Sequence, residues 1–261
     1  MKTFRASLKM AGFVIAILVL VPPQIIFLIF HRGKYAYIIP RLWHRALSAI
    51  LNIQIEMRGA PDFKTQTLYV CNHLSYLDIV ALGGVIKRAS FLAKSDVKSW
   101  PLFGFLAGLQ RTAYIDRKRT SIGAAKTDLE IFLAEGHSLI FFPEGTSTSG
   151  VIVKPFKSSL FALALQGDRS IRIQPVTIAI AAVDGRAPQN IDDNNIYAWP
   201  LEMETSLGAH LWGFARSKGV RLILTFHAPI IAAPGDDRKL LAKTCEDSVS
   251  KGLGTALMAA E

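Results

Sequence analysis

The chain has 261 residues, 51% of them hydrophobic, and a formal net charge of +10. That length allows one or two domains with a full core, and the positive mean hydropathy of +0.31 is high for a freely soluble enzyme and points to a membrane. No RNA-binding signature, zinc finger or basic helix accompanies the positive charge, which sets nucleic acid aside as a partner.

The charge is unevenly placed. Residues 1–50 hold seven basic residues (Lys2, Arg5, Lys9, Arg32, Lys34, Arg41, Arg45) and no acid, while the rest of the chain holds 23 basic and 20 acidic residues. A basic face beside an apolar run suits an anionic bilayer surface, at about 1 kcal/mol per Lys or Arg. The two cysteines, Cys71 and Cys245, are too far apart in sequence to suggest a disulfide framework or a zinc spacing. They read as reduced thiols of a cytoplasmic compartment.

Residues 11–30, AGFVIAILVLVPPQIIFLIF, contain one polar side chain, Gln24, and no charge. The run is long enough to cross a bilayer. It is too long for the apolar part of a signal peptide, and no small-residue cleavage site follows it. Pro22 and Pro23 are expected to kink or break the helix. Basic residues flank both sides, so the positive-inside tendency sets no orientation. Two readings stay open: a kinked helix dipping into one leaflet with both ends cytoplasmic, and a plain single-pass anchor. The next stretch, YAYIIPRLWHRALSAILNI, mixes aromatic and basic residues as an interfacial amphipathic helix does. Residues 1–50 thus read as a two-helix membrane-anchoring segment.

From there strands alternate with helices. Strands are expected at 52–57, 67–71, 89–94, 111–116, 138–142, 171–180 and 220–230. Pro175 suggests that the strand over 171–180 is an edge or is ending. Helices are expected over VKSWPLFGFLAGL, broken near Pro101, over 120–136, ended by Gly136, over KSSLFALALQG, and over 236–256. The alternation predicts an α/β fold with a mixed, largely parallel sheet flanked by helices, preceded by the N-terminal helical membrane anchor. Functional loops in such sheets gather at strand ends, and His73, Arg117 and Glu144 each fall just after a predicted strand.

His73 and Asp78, in NHLSYLD, stand five apart, about 140° around a regular helix. They meet only if His73 lies in the strand-to-helix turn and Asp78 in the first helical turn. Ser75 is then a natural N-cap, and Ser75 to Asp78 resembles a capping box with the shorter acid. On these residues alone, an ordinary capped helix start competes with a catalytic base held by its carboxylate, an arrangement contributing about 10²–10⁴-fold to proton transfer. In FFPEGTS, Pro143 and Gly145 force a tight turn at a strand end that presents Glu144, Thr146 and backbone N–H groups. In YIDRKRT, Arg117 suits bidentate phosphate contact, whereas Lys118 and Arg119 read as a solvated charge run. The six histidines are scattered, with no metal-ligand spacing.

NHLSYLD, AYIDR, FFPEGTS and IQPVTI resemble, in order, the four motifs of the glycerolipid acyltransferases of the 1-acylglycerol-3-phosphate O-acyltransferase type. The resemblance covers about residues 50–230 and implies that residues 51–261 form the acyltransferase catalytic domain. It implies that His73 deprotonates the acceptor hydroxyl of a lysolipid while Asp78 holds the imidazole. The alkoxide then attacks an acyl thioester, of acyl-carrier protein or CoA, which serves as co-substrate with no cofactor. The oxyanion would need N–H donors, for which the turn at Gly145 is a candidate. By the same resemblance Asn72, Lys94, Arg117, Glu144, Gly145, Thr146 and Ser147 contact substrate. Many members carry arginine where this chain has Ser147. That departure weakens lysophosphatidic acid as acceptor, leaving it first only narrowly, with lyso-ornithine lipid, which has no phosphate, second. The expected setting is the cytoplasmic face of the inner membrane. A non-catalytic lipid-binding protein and a hydrolase remain the rival classes, and Ser75 the rival nucleophile.

Overall fold

The computed structural model describes residues 1–30, 34–115, 132–133, 135–165 and 170–259. The expected helix over 120–136 falls mostly outside them, as do Arg117, Lys118 and Arg119.

Helix α1 (Lys2–Phe30) runs unbroken through Pro22 and Pro23. The two prolines remove two rungs of its hydrogen-bond ladder, and the remaining rungs carry it on. At about 1.5 Å per residue it is longer than a bilayer's hydrocarbon core, and it is long and apolar enough to cross one. Its outer face exposes Leu8, Ile15, Leu18, Ile26 and Ile29. Its inner face buries Ala6, Lys9, Ala16 and Gln24. Lys9 Nζ donates to the carbonyls of Leu51 (2.9 Å) and Ser217 (3.1 Å), and Gln24 Nε2 to those of Ala36 (3.1 Å) and Leu109 (2.8 Å). Part of the N-terminal basicity therefore faces helix ends, where a cation is favourable, rather than lipid phosphate.

A 3₁₀ turn (Lys34–Tyr37) leads into α2 (Ile38–Leu51). It is followed by β1 (Ile53–Gly59), β2 (Thr67–Cys71), α3 (Leu77–Val85), β3 (Ala89–Lys94), a 3₁₀ segment (Ser95–Ser99), α4 (Phe103–Leu109), β4 (Ala113–Ile115) and β5 (Ser138–Phe141). A third 3₁₀ segment (Ser158–Leu165) precedes β6 (Ile171–Val183), α5 (Ile191–Asn194), α6 (Leu207–Arg216), β7 (Val220–Phe226), β8 (Ile230–Ala232) and α7 (Arg238–Met258). Helix α2 packs closely on α3 because α3 presents glycines: a Cβ on Gly83 would lie 2.4 Å from the His44 ring.

The strands order as β1-β7-β6-β2-β5-β3-β4, with β8 also on β6. β6 and β7 are antiparallel, as are β6 and β8; every other pairing is parallel. This is the mixed, mostly parallel sheet expected. β2 and β5 are buried at every position, as parallel strands covered on both faces must be.

Two strand expectations change. β6 lies at the centre, between β2 and β7, despite Pro175. Its antiparallel partners are β8 up to Ile173 and β7 from Val176. Pro175 thus stands where the partner strand is interrupted, and its missing N–H leaves no rung unmade. For the same reason the single strand expected over 220–230 is two strands. The helix expected from Lys157 takes the tighter 3₁₀ form, whose three-residue repeat stacks the buried Phe161 and Ala164 on one face.

Since β2, β5, β3 and β4 are mutually parallel, their C-terminal ends share one edge of the sheet. His73 follows β2, Glu144 follows β5 and Lys94 ends β3.

Candidate active site

β2 delivers the chain to Asn72, which is fully buried. Its side chain exchanges both hydrogen bonds with the Ile178 backbone, accepting from N (2.7 Å) and donating to O (2.9 Å). It works as an extra rung fixing the β2 end to β6, with no atom left over for a ligand.

The next residues turn sharply, and the two partners meet as the bend predicted. His73 Nδ1 lies 2.8 Å from Asp78 Oδ2. That oxygen also accepts from the N–H of Leu74 (2.7 Å) and Ser75 (3.0 Å). Oδ1 accepts from the Tyr197 hydroxyl at 2.9 Å. With every neighbour donating to this carboxylate, His73 Nδ1 carries the proton. Its Nε2 is the nitrogen left to accept, and it has no hydrogen-bond partner among the described residues. Helix α3 starts one residue later than expected. Tyr76 is the N-cap position without a side-chain bond, and the Ser75 hydroxyl accepts from Leu77 N (3.1 Å). The fully buried Ser75 thus has its oxygen tied into the helix start.

The second loop comes from β5. Phe142 stacks on the His73 ring, centroids 4.2 Å apart at 19°. Glu144, 3% exposed, turns inward: Oε1 accepts from His73 N and Oε2 from Lys154 N, both at 2.7 Å. Burial pushes its carboxyl up to about 7, against the opposing pull of those two N–H groups. Thr148 N closes the contact on the His73 carbonyl at 2.9 Å. Gly145 adopts φ +71°, the left-handed region that suits glycine. Its own N–H is occupied by the Phe142 carbonyl (3.1 Å), so any oxyanion donors of this turn lie beyond it. The N–H groups of Thr146 and Ser147 have no partner among the described residues. The Ser147 hydroxyl donates to the Trp199 carbonyl.

His73, Gly145, Thr146, Ser147 and Lys94 line one cavity of about 520 Å³. Its walls are otherwise mainly apolar, with Phe13 and Leu20 of α1, Trp43 of α2, and Phe91, Phe103 and Leu211. Asn72, Asp78 and Glu144 stand behind this wall, and Arg117 lies outside the described residues. Both cysteines are buried free thiols. Among the described residues no group of three His, Cys, Asp or Glu is arranged to hold a metal ion.

Tyr197, Phe142 as a ring platform, and the Trp199 carbonyl escaped the sequence reading. Only Phe142, inside a motif already singled out, carried a local signal. Tyr197 is 119 positions from Asp78.

A geometry of this kind, an imidazole held by a carboxylate in the wall of an apolar cavity, suits acyl transfer, and the comparisons with known proteins agree. A family model described as Acyltransferase matches residues 53–179. The chain is 34% identical over 265 residues to the lyso-ornithine lipid O-acyltransferase of Brucella abortus, covering 99% of this chain and 97% of that one. It is 30% identical over 207 residues to the 1-acyl-sn-glycerol-3-phosphate acyltransferase of Neisseria meningitidis, covering 78% and 76%. The crystal structure of the 1-acyl-sn-glycerophosphate acyltransferase of Thermotoga maritima has the same fold, with a TM-score of 0.69 at 18% identity over 98% of this chain and 97% of that one. The chain belongs to the acyltransferase family. It is an O-acyltransferase that takes an acyl donor as co-substrate, and its one apolar N-terminal helix, together with relatives that acylate membrane lipids, points to membrane association.

Proposed function

We propose that the protein transfers a fatty acyl group from a thioester of acyl-carrier protein or CoA to the free hydroxyl of a lysolipid, with His73 as general base. The observation that carries this is the His73 Nδ1 contact with Asp78 at 2.8 Å, which leaves Nε2 at the wall of an apolar cavity. The acceptor hydroxyl gives its proton to Nε2 as its oxygen attacks the thioester carbonyl. The C–O bond forms, the C–S bond breaks, and the imidazolium returns the proton to the leaving thiolate. The N–H groups of Thr146 and Ser147, in the turn at Gly145 and without partners among the described residues, are the donors for the oxyanion. The acyl chain occupies the apolar cavity. Glu144 acts from behind, holding the His73 and Lys154 backbones, Lys94 in the cavity wall contacts the acceptor head group, and Arg117 is the further head-group contact that the family resemblance implies.

Lyso-ornithine lipid is the acceptor this reading favours. The relative matched over nearly its whole length carries that name, and so do those from Rhodobacter capsulatus and Rhizobium meliloti. Ser147 stands where many family members carry arginine, and its hydroxyl is engaged with Trp199. Lysophosphatidic acid is the second reading, supported by the Neisseria relative and by Lys94 in the cavity wall. We place residues 1–50 as the membrane-anchoring segment and 51–261 as the catalytic domain, at the cytoplasmic face where thioester donors are available.

A labelled acyl donor offered with a panel of lysolipids tests both levels. Transfer to lyso-ornithine lipid well above lysophosphatidic acid is expected. The reverse ratio assigns the acceptor to the second reading, and hydrolysis of the donor without transfer to any lysolipid overturns the lysolipid assignment.

A further inference from the structure

We propose that Tyr197 is a positioning residue of this reaction, acting on His73 through Asp78 by a hydrogen bond that sets the orientation and charge of the carboxylate. The inference rests on His73 being the base.

Asp78 is fully buried, so each of its oxygens must find donors within the protein. Oδ2 has three: His73 Nδ1, Leu74 N and Ser75 N. Among the described residues Oδ1 has one, the Tyr197 hydroxyl at 2.9 Å. The three bonds on Oδ2 converge on one atom and leave the carboxylate free to swing about it. A donor on Oδ1 fixes the plane, and with it the angle at which Oδ2 meets the imidazole. The direction of Nε2 into the cavity follows.

Tyr197 is built to hold that donor still. It is fully buried, with its ring edge-on to Phe214 at 5.8 Å. Its N–H, like that of Ala198, bonds the Asn194 carbonyl at the end of α5. Trp199 N donates to the Leu74 carbonyl (2.8 Å), and the Ser147 hydroxyl donates to the Trp199 carbonyl. Segment 197–199 thus ties the loop carrying His73 to the loop carrying Glu144. His210 Nε2 lies 3.0 Å from the Ala198 carbonyl, and its Nδ1 lies 3.0 Å from the Tyr76 hydroxyl. Burial, and the Asp78 charge beside it, push the Tyr197 phenol well above its ordinary range. The group therefore keeps its proton and remains a donor.

The bond also tempers the carboxylate. A donor on Oδ1 draws off negative charge that would otherwise be available to the imidazolium. Without it the protonated ring is held more tightly, and the base is neutral only at higher pH.

The test is Tyr197→Phe in the full chain, assayed beside His73→Ala. The expected result for Tyr197→Phe is a kcat lower by about tenfold to a hundredfold, with acceptor and donor KM little changed. The acid limb of the pH–rate profile should move to higher pH. A second Tyr197→Phe change placed on Asp78→Asn should add little, since both act through one carboxylate. An unchanged kcat and pH profile overturns the inference while leaving the base assignment standing. A fall in activity with an unmoved acid limb also overturns it, because a purely structural role acts that way. Full activity in His73→Ala instead overturns the underlying reading. Should Tyr197→Phe not fold, 3-fluorotyrosine at position 197 gives the opposite sign. A stronger donor of the same shape should move the acid limb to lower pH, and no movement overturns the inference.

Discussion

Asp78 and Glu144 are both buried carboxylates that hold the same turn, and they hold it differently. Asp78 takes four donors, two of them side chains, His73 and Tyr197. Glu144 takes two, the N–H groups of His73 and Lys154. Asp78 touches the ring that faces the cavity. Glu144 touches only the backbone beneath that ring. One carboxylate aims an imidazole, and the other clamps two loops. Removing the first should cost rate, and removing the second mainly stability.

The largest effect expected is from His73→Ala. Acyl transfer should fall by about 10²–10⁴-fold, while circular dichroism and membrane association stay as in the wild type. Substantial residual turnover refutes the base assignment. Asp78→Asn comes next. The amide places an NH₂ group against neighbours that all donate, so the imidazole loses its anchor. A drop of about 10²-fold or more is expected in kcat, and unchanged activity would mean that Asp78 only caps the helix.

Glu144→Gln should reverse the balance. One of the two backbone N–H groups would face an amide NH₂, costing about 1–3 kcal/mol of stability. The loss in kcat should be smaller than for Asp78→Asn. The comparison sharpens with pH. The Glu144 carboxyl sits at about 7 in the fold against an ordinary 4.5. The folded chain therefore binds this proton more tightly than the unfolded one. The stability it contributes is fully present below about 4.5 and is lost as pH rises through 7, about 3 kcal/mol in all. Thermal unfolding between pH 5 and 8 should show a shallower pH dependence in Glu144→Gln than in the wild type. Equal slopes would mean that the carboxyl does not titrate in this window.

Much was legible in the chain itself. The strand over 67–71, the strand over 89–94, the turn at Gly145 and the His73–Asp78 meeting could be read locally. Each depends on neighbours a few residues away: an apolar run, a proline, a bend before a helix. Pro175 misled for the opposite reason. Proline is excluded from central strands only where a partner needs its N–H, and whether the β7–β8 break falls opposite it is a matter of register.

Glu144 and Asn72 looked like ligands from their motifs, yet their polar atoms are engaged with backbone, of the His73 and Lys154 loops for Glu144 and of β6 for Asn72. That outcome depends on which strands are neighbours, not on which residues are adjacent in the chain. Local patterning thus determined the α/β class, the apolar N-terminal helix and the pair that meets across one turn, because short-range sterics and hydrophobic periodicity decide those. Only the tertiary structure decided which groups face the cavity, that Gly145 has no free N–H, and that Tyr197 reaches Asp78. Those depend on sheet order and burial, which bring together residues that no spacing in the sequence connects.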